Sequence, residues 1–586
     1  MFNIGSKIYI NSSTINKSIF NEAVVEKIIT ILKRKIIEKS GDQIVFSDSE
    51  PGDISIQLSI ENGIGTEGYT ISDISNGVRI TGNDERGLLY GVGKLLRTAQ
   101  YEPEVFILGT WRGSSLPDKP IRGIYFASHF NNFYHCAPID EICKYVEELA
   151  LWGVNVIEVW YDMHHFAGIH TPEAIAMVNR LREIFKAAKC IGLMTMLGTL
   201  GNEGYNNSPI EMRAEWSQQN GYYRSLGSHY HVELCPNKPG AMEQLLQWKK
   251  EEFEALADIG VDFVAFGPYD QGGCTCEKCS PWGGNGFLKV TREASKLARE
   301  CLPNVKIVLF AWLFDYFVGE EWESLAKALE TESPWFDYIE WDYNTTCNTG
   351  TDFILSPYIA ENGVPGNIPM LGFPEISMFA TQPYGGWGAN PQLAYMQKLW
   401  DDAGHLFCGG FPYSEGIYED INKIICAQLY WNSSRKVDDI AKEYISYEYS
   451  STYADEILKA VKMMQQTYVR RPLSNDSVED FMVMRQDRDI NTRYVIQNTQ
   501  GIEEIYAILS HVDNKLPESV RKAWRWRVLY IRSILDHELL NNNFQINDRA
   551  DEVLEELVEI YHAQIAEPSV APTSRKVILA FWKRYH

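Results

Sequence analysis

Between residues 122 and 415 the chain repeats one pattern eight times: a short apolar run, a loop, then residues at helical spacing. No other feature constrains the fold as much, because parallel strands need long crossovers and the usual crossover is a helix. The runs are RGIYFASHF (122–130), NVIEVWYD (155–162), LMTMLGTL (193–200), DFVAFGPYD (262–270), KIVLFAW (306–312), DYIEWDY (337–343), IPMLGFPE (368–375) and LFCGGFPYSE (406–415). Most are continuous rather than alternating, as in strands buried on both faces. Helical patterns such as IDEICKYVEELALWG and LLQWKKEEFEALADIG lie between them. Eight β-then-α units predict an α/β chain built on a (β/α)8 TIM barrel, with its functional groups at the C-terminal strand ends. The gaps after the third, sixth and seventh runs are long, which enlarges the loops at that end.

At 586 residues the chain exceeds a single core. Residues 1–115 read as an N-terminal α/β domain. EAVVEKIITILKRKIIEK has helical periodicity. EGYTISDISNGVRITGNDERGLLYGVGKLLR (67–97) reads as strand, turn at Asn76-Gly77, strand, then a helix capped by Asn83 or Asp84. PDKPIRG opens the barrel, placed at 116–432. From 433 to 586 strand signals fade, and four amphipathic segments predict an α-helical C-terminal domain.

The net charge is −24, without a concentrated Lys/Arg stripe, which argues against nucleic acid and membrane surfaces as partners. The first twenty residues lack the basic and apolar regions of a secretory signal. Eleven scattered cysteines do not form a disulfide framework. The expected location is cytoplasmic. Sixteen Trp and 32 Tyr suit stacking on sugar rings, although most such rings fill cores.

The segment EGYTISDISNGVRITGNDERGLLYGVGKLLR resembles the end of the small α/β domain that precedes the barrel in family 20 hexosaminidases and family 67 α-glucuronidases. RGIYFASHF, then a helix and WGVNVIEVWYD, resembles the first two barrel strands of family 20. AQLYWNSSRKVDDIAKEYI resembles the passage out of the barrel in family 67. The order of α/β domain, barrel and helical domain covers nearly the whole chain, with no complete catalytic signature of either family. The resemblance implies a glycoside hydrolase. Where family 20 ends its fourth strand with an Asp-Glu pair, this chain has Asp270-Gln271, and glutamine cannot deliver a proton. Family 67 implies an acid on strand four and basic carboxylates on strands six and seven. Asp270, Asp342 and Glu375 occupy those strand ends.

Glycoside hydrolysis needs one group to protonate the leaving oxygen. A second attacks or activates water, unless the substrate's own acetamido group attacks. The strand-end acids are Asp162, Asp270, Asp342, Glu375 and Glu415, with Glu203 just past the third run. Any one of them alone serves equally well in a salt bridge. Asp270 stands out: it follows the buried run FVAFGPY and precedes Gly272-Gly273, which let backbone approach a ligand. It is expected to be the acid, or the orienter of an acetamido group. Glu375 is the first choice for base and Asp342 the second. Glu415 is the alternative acid, or binds hydroxyls. Arg122 matches in position the sugar-binding arginine of family 20, although a strand start also suits the stability face. Residues expected to line the substrate pocket are Arg122, His129, Asp162, His164, Glu203, Gln271, Trp312, Tyr343, Trp387, Tyr413 and Glu415. The His164-His165 pair argues against a metal if both lie on a strand, where neighbours point to opposite faces.

GPYDQGGCTCEKC (267–279) supplies three thiols, Cys274, Cys276 and Cys279, where a structural zinc needs four ligands. Cys235 in VELCPNKPG is the candidate fourth. The expectation is of free thiols bracing the loop and no cofactor, with structural zinc as the alternative. The activity expected is exo-hydrolysis of short oligosaccharides, N-acetylhexosaminides or uronides. The rivals are a non-catalytic carbohydrate-binding protein on the same scaffold, and a metal-dependent barrel isomerase or lyase.

Overall fold

The structure is a computed structural model. It describes residues 4–562 except 14, 16–19, 49–51, 129–132, 217–230, 270–271, 316–317, 342–355, 375, 377–387, 468–497 and 544–545. The N-terminal part holds a six-stranded mixed sheet with the helices Glu22–Ser40 and Glu85–Thr98. Asn21 caps the first helix through Ala23 N–H. Asp84 caps the second, its Oδ1 accepting from Gly87 N–H at 2.8 Å. Asn83 instead accepts from the backbone of Gly63, Ile64 and Gly65, tying down the preceding loop.

Eight parallel strands then close a barrel: β1 (Ile121–Phe126), β2 (Val156–Trp160), β3 (Met194–Leu200), β4 (Phe263–Gly267), β5 (Lys306–Phe310), β6 (Tyr338–Trp341), β7 (Met370–Gly372) and β8, which is split into Gly409–Gly410 and Tyr413–Ser414. Both pieces of β8 pair with β1 and close the ring. The split falls at Phe411-Pro412; Pro412 has no N–H to give a ladder, although its carbonyl accepts from Tyr125 N–H at 3.1 Å. Six of the eight sequence runs overshoot the hydrogen-bonded strand by two to four residues at the C-terminal end, the eighth by one and the third not at all. Those of the extra residues that are described lie at the rim of the mouth.

Side-chain alternation fixes what fills the barrel. Ile121, Tyr125, Val156, Trp160, Met196, Phe263, Ala265, Val308, Leu371, Phe373, Phe411 and Tyr413 form one buried cluster inside it. Residues of opposite parity pack outward against helices in the main core. Helix Asp420–Trp431 leads out of the barrel into the helices Val437–Glu448, Ala454–Thr467, Ile502–Asp513, Trp524–Asn541 and Asp548–Ile560. Arg525 anchors these helices, its Nε on Asp420 at 2.8 Å and its guanidinium on Glu148 at 2.7 Å. Among the described residues no helix is long and apolar enough to cross a membrane.

Candidate active site

Just below the mouth, Tyr125, Phe310, Phe373 and Tyr413 form an aromatic layer, with neighbouring ring centroids 4.6–5.7 Å apart. Two carboxyl groups share this interior. Glu158 lies mid-β2 between the inward residues Val156 and Trp160, and Glu340 lies on β6 two residues after inward Tyr338. Both are buried. Gly198 on neighbouring β3 makes the room, since a Cβ there would stand 2.9 Å from Glu158 Oε1. Burial raises both carboxyls well above the usual range, and Glu340 adds like-charge repulsion on Glu158. Neither oxygen of Glu340 has a hydrogen-bond partner among the described residues. The folded protein therefore keeps a proton that the unfolded chain releases above about pH 4.3, so this group erodes stability as pH rises. Glu340→Gln keeps the shape without the ionisable group. The variant is expected to gain on wild type as pH rises above about 4.3, by at most about 1.4 kcal/mol per pH unit, read from urea midpoints. Parallel pH profiles for the two proteins would refute the assignment.

At the mouth, the loops after β2 and β3 bring four side chains together. The chain leaves β2 into a single 3-10 turn, Met163–His165. Asp162 before it bonds both histidines: one oxygen engages His164 Nδ1, and Oδ2 lies 2.8 Å from His165 Nδ1. Glu203, fully buried after β3, lies 3.1 Å from the same His164 Nδ1 and accepts from Trp160 Nε1–H at 3.2 Å. Burial opposes charge on His164, but Asp162 and Glu203 outweigh it and raise the imidazole to about 10. Burial likewise pushes Asp162 up, and the two histidines overcome it to hold the carboxyl well below the carboxylate range. Glu203 moves the other way: burial dominates and raises it. Glu233, buried nearby, rises to about 7 for the same reason. The mouth thus holds an imidazolium between a carboxylate and a carboxyl that retains its proton more readily than a free one.

The β4 loop is fixed from two sides. Asn202 accepts from Gly273 N–H at 2.7 Å and donates to Gly273 O at 2.8 Å and Leu234 O at 2.7 Å. Gly273 has φ +130°, and a Cβ on Gly272 would meet Asn202 Oδ1 at 3.1 Å, so these glycines serve the approach of the loop to Asn202. Glu321, buried and raised to about 7 by desolvation, takes the Tyr269 hydroxyl and Gly283 N–H. Tyr269 immediately precedes Asp270.

Of the residues predicted for the site, Asp270, Gln271, Asp342, Tyr343, Glu375, Trp387 and His129 lie outside the described residues. Asp162, His164 and Glu203 come together as described. Tyr413 donates from its hydroxyl to Glu415 at 3.0 Å across the β8 rim. Trp312, half-buried two residues past β5, stacks on Phe310 at 6.3 Å. Two expectations are corrected. Arg122 points outward from the N-terminal end of β1, where it is fully buried and ion-paired with Glu67 of the N-terminal sheet domain. It cannot reach a sugar at the opposite end. His164 and His165 lie on a turn rather than a strand, so they share Asp162 instead of diverging. Glu158, Glu340, Glu233 and Asn202 escaped the sequence reading. Glu158 and Glu340 carry a signal, an acid at an inward mid-strand position, but they lie away from the strand ends where barrel chemistry is expected.

The sequence matches no known family profile and no curated protein. Solved structures share its fold at low identity. A family GH115 4-O-methyl-α-glucuronidase with specificity for decorated arabinogalactans aligns over 100% of this chain and 80% of its own, with TM-score 0.61 and 11% identity. A GH138 enzyme targeting pectin rhamnogalacturonan II covers 95% and 73%, with TM-score 0.56 and 13% identity. A GH84 protein covers 98% and 96%, with TM-score 0.51 and 15% identity. The chain therefore has the fold of these glycoside hydrolases.

Proposed function

We propose that the protein is a glycoside hydrolase that removes sugars from the non-reducing end of short, imported oligosaccharides in the cytoplasm. The observation that supports this most is the buried Asp162–His164–Glu203 cluster at the C-terminal mouth of a closed barrel. Buried acids and an imidazolium are costly to keep there without a polar ligand to serve. Asp270 protonates the leaving oxygen, or orients an acetamido group. Glu375, with Asp342 second, activates water. Asp162, Glu203 and Glu415 hold sugar hydroxyls, and Trp312 offers an apolar face. The described mouth residues carry both carboxyl groups and the His164 imidazolium, so the substrate class stays N-acetylhexosaminide or uronide.

The test is hydrolysis of a panel of chromogenic α- and β-glycosides, with N-acetylhexosaminides and glucuronides included. Wild type is expected to turn over one of them, and Asp270→Asn to lose about 10²–10⁴ of that rate. Activity surviving the substitution moves the acid to Glu415. Binding of sugars without turnover of any member makes the protein a carbohydrate-binding module. Turnover that appears only with an added divalent metal makes it a different barrel enzyme.

A further inference from the structure

Four cysteines from two separate loops meet in one place. Cys274, Cys276 and Cys279 follow β4, and Cys235 arrives from the long excursion after β3. Their four sulfurs all lie within 4.8 Å of one another. Cys235 Sγ is 3.7 Å from Cys276 Sγ and 3.8 Å from Cys279 Sγ. A tetrahedron with zinc–sulfur bonds of about 2.3 Å has edges of about 3.8 Å. The separations are thus those of ligands sharing an ion, and all four cysteines are free of disulfides. Donors also point at the sulfurs, as suits thiolates. Glu215 N–H reaches Cys274 Sγ at 3.5 Å, and Asn237 Nδ2 reaches Cys279 Sγ at 3.0 Å. Cys279 N–H and Ser280 N–H both return to Cys276 O, folding the C-x-x-C segment into a tight turn that presents both thiols to one side. Three of the four residues are buried.

We infer that Cys235, Cys274, Cys276 and Cys279 bind one zinc ion as a closed tetrathiolate site that clamps the β3 and β4 loops together. Four sulfur ligands leave no open position, so the ion is structural. Cys274 lies four residues past Asp270, so the clamp fixes the far end of the segment whose near end Glu321 holds through Tyr269. The three-thiol motif alone falls one ligand short. The fold supplies the fourth from a stretch that begins 39 residues earlier in the chain, which is why sequence spacing did not display a paired cluster. The inference is independent of the proposed hydrolase activity.

The test is the metal content of the full-length protein, purified without chelator and dialysed, measured by inductively coupled plasma mass spectrometry. About one zinc per chain is expected. Titration with a mercurial that captures thiols should release it, followed with a zinc-sensitive dye. Cys235→Ser and Cys276→Ser should each retain less than about a tenth of the zinc. If either variant fails to fold, the wild-type stoichiometry decides alone. Wild type that carries no zinc, takes up none from added zinc chloride and exposes all four thiols to reagent at once overturns the inference, as does zinc retained at one per chain in folded Cys235→Ser.

Discussion

Arg122→Met is expected to destabilise the protein by about 3–5 kcal/mol while leaving KM for any substrate unchanged. The guanidinium is a junction. Nε donates to Gly153 O at 2.7 Å, Nη1 donates to Lys119 O at 2.9 Å, and Nη2 meets the Glu67 carboxylate. Its plane lies against Tyr90 and Trp431, with centroids at 5.4 and 5.1 Å. Methionine keeps much of the volume but strands two backbone carbonyls and removes the partner that compensates buried Glu67. Glu67 retains Arg86 at 2.9 Å and Asn155 at 3.2 Å, so the loss falls toward the lower end of that range. Adding Glu67→Gln to the variant should recover part of it. Urea midpoints and substrate titrations on the same samples separate the alternatives. A raised KM with unchanged stability would return Arg122 to the sugar.

The second large effect belongs to His164. Its imidazole is raised to about 10 by Asp162 and Glu203 against the opposing effect of burial. A raised histidine gives stability that is complete below the unfolded value of about 6.5 and fades as pH climbs through 10. Asp162 is depressed, so its share is present above the unfolded value of about 3.9 and is lost as pH falls through the folded value. The pair therefore contributes most between about pH 4 and pH 6.5. His164→Gln strips a buried carboxylate of its main cation and is expected to cost about 3–5 kcal/mol at pH 6, tempered by His165 at 2.8 Å. The deficit should shrink steadily toward pH 10. A deficit independent of pH across that range would mean that His164 is neutral in the folded protein.

The architecture was legible because its signals are local and repeated. Eight apolar runs, each paired with a helical pattern, specify strands before any contact is known. The pieces of the site that were legible share one property: Asp162, His164 and Glu203 follow directly on strands, so the barrel topology alone brings them to one mouth. What escaped depended on three-dimensional placement. Arg122 is adjacent to inward residues, and only the barrel's parity shows that it faces the helices and Glu67. The turn after β2 rotates His165 back toward Asp162, which no spacing rule states. Glu158 and Glu340 stand mid-strand, where charge is so costly that sequence reasoning does not look for it. The meeting of Cys235 with the three-thiol motif needs the loops of β3 and β4 laid side by side.

The split eighth strand bears on how the molecule assembles. Neighbouring strands from β1 to β7 pair across short stretches of chain, whereas β8 must find β1 from about 290 residues away, a search whose entropic cost grows only logarithmically with length. What it wins at the end is small, two registered pairs on each side of Phe411-Pro412. The eighth strand is also held to β7 by a single registered pair, so the ring shuts on its most thinly paired strand, and its neighbours latch it. Trp431 Nε1 donates to Ser115 at 2.8 Å, Asp118 N–H returns to Trp431 O, and Arg122 reaches across to Glu67. The chain entering the barrel and the chain leaving it are fastened to each other beside the closing strand. The outer domains thus act as the hasp on a clasp that would hold poorly alone, and a barrel cut free of them would be prone to spring open along that line.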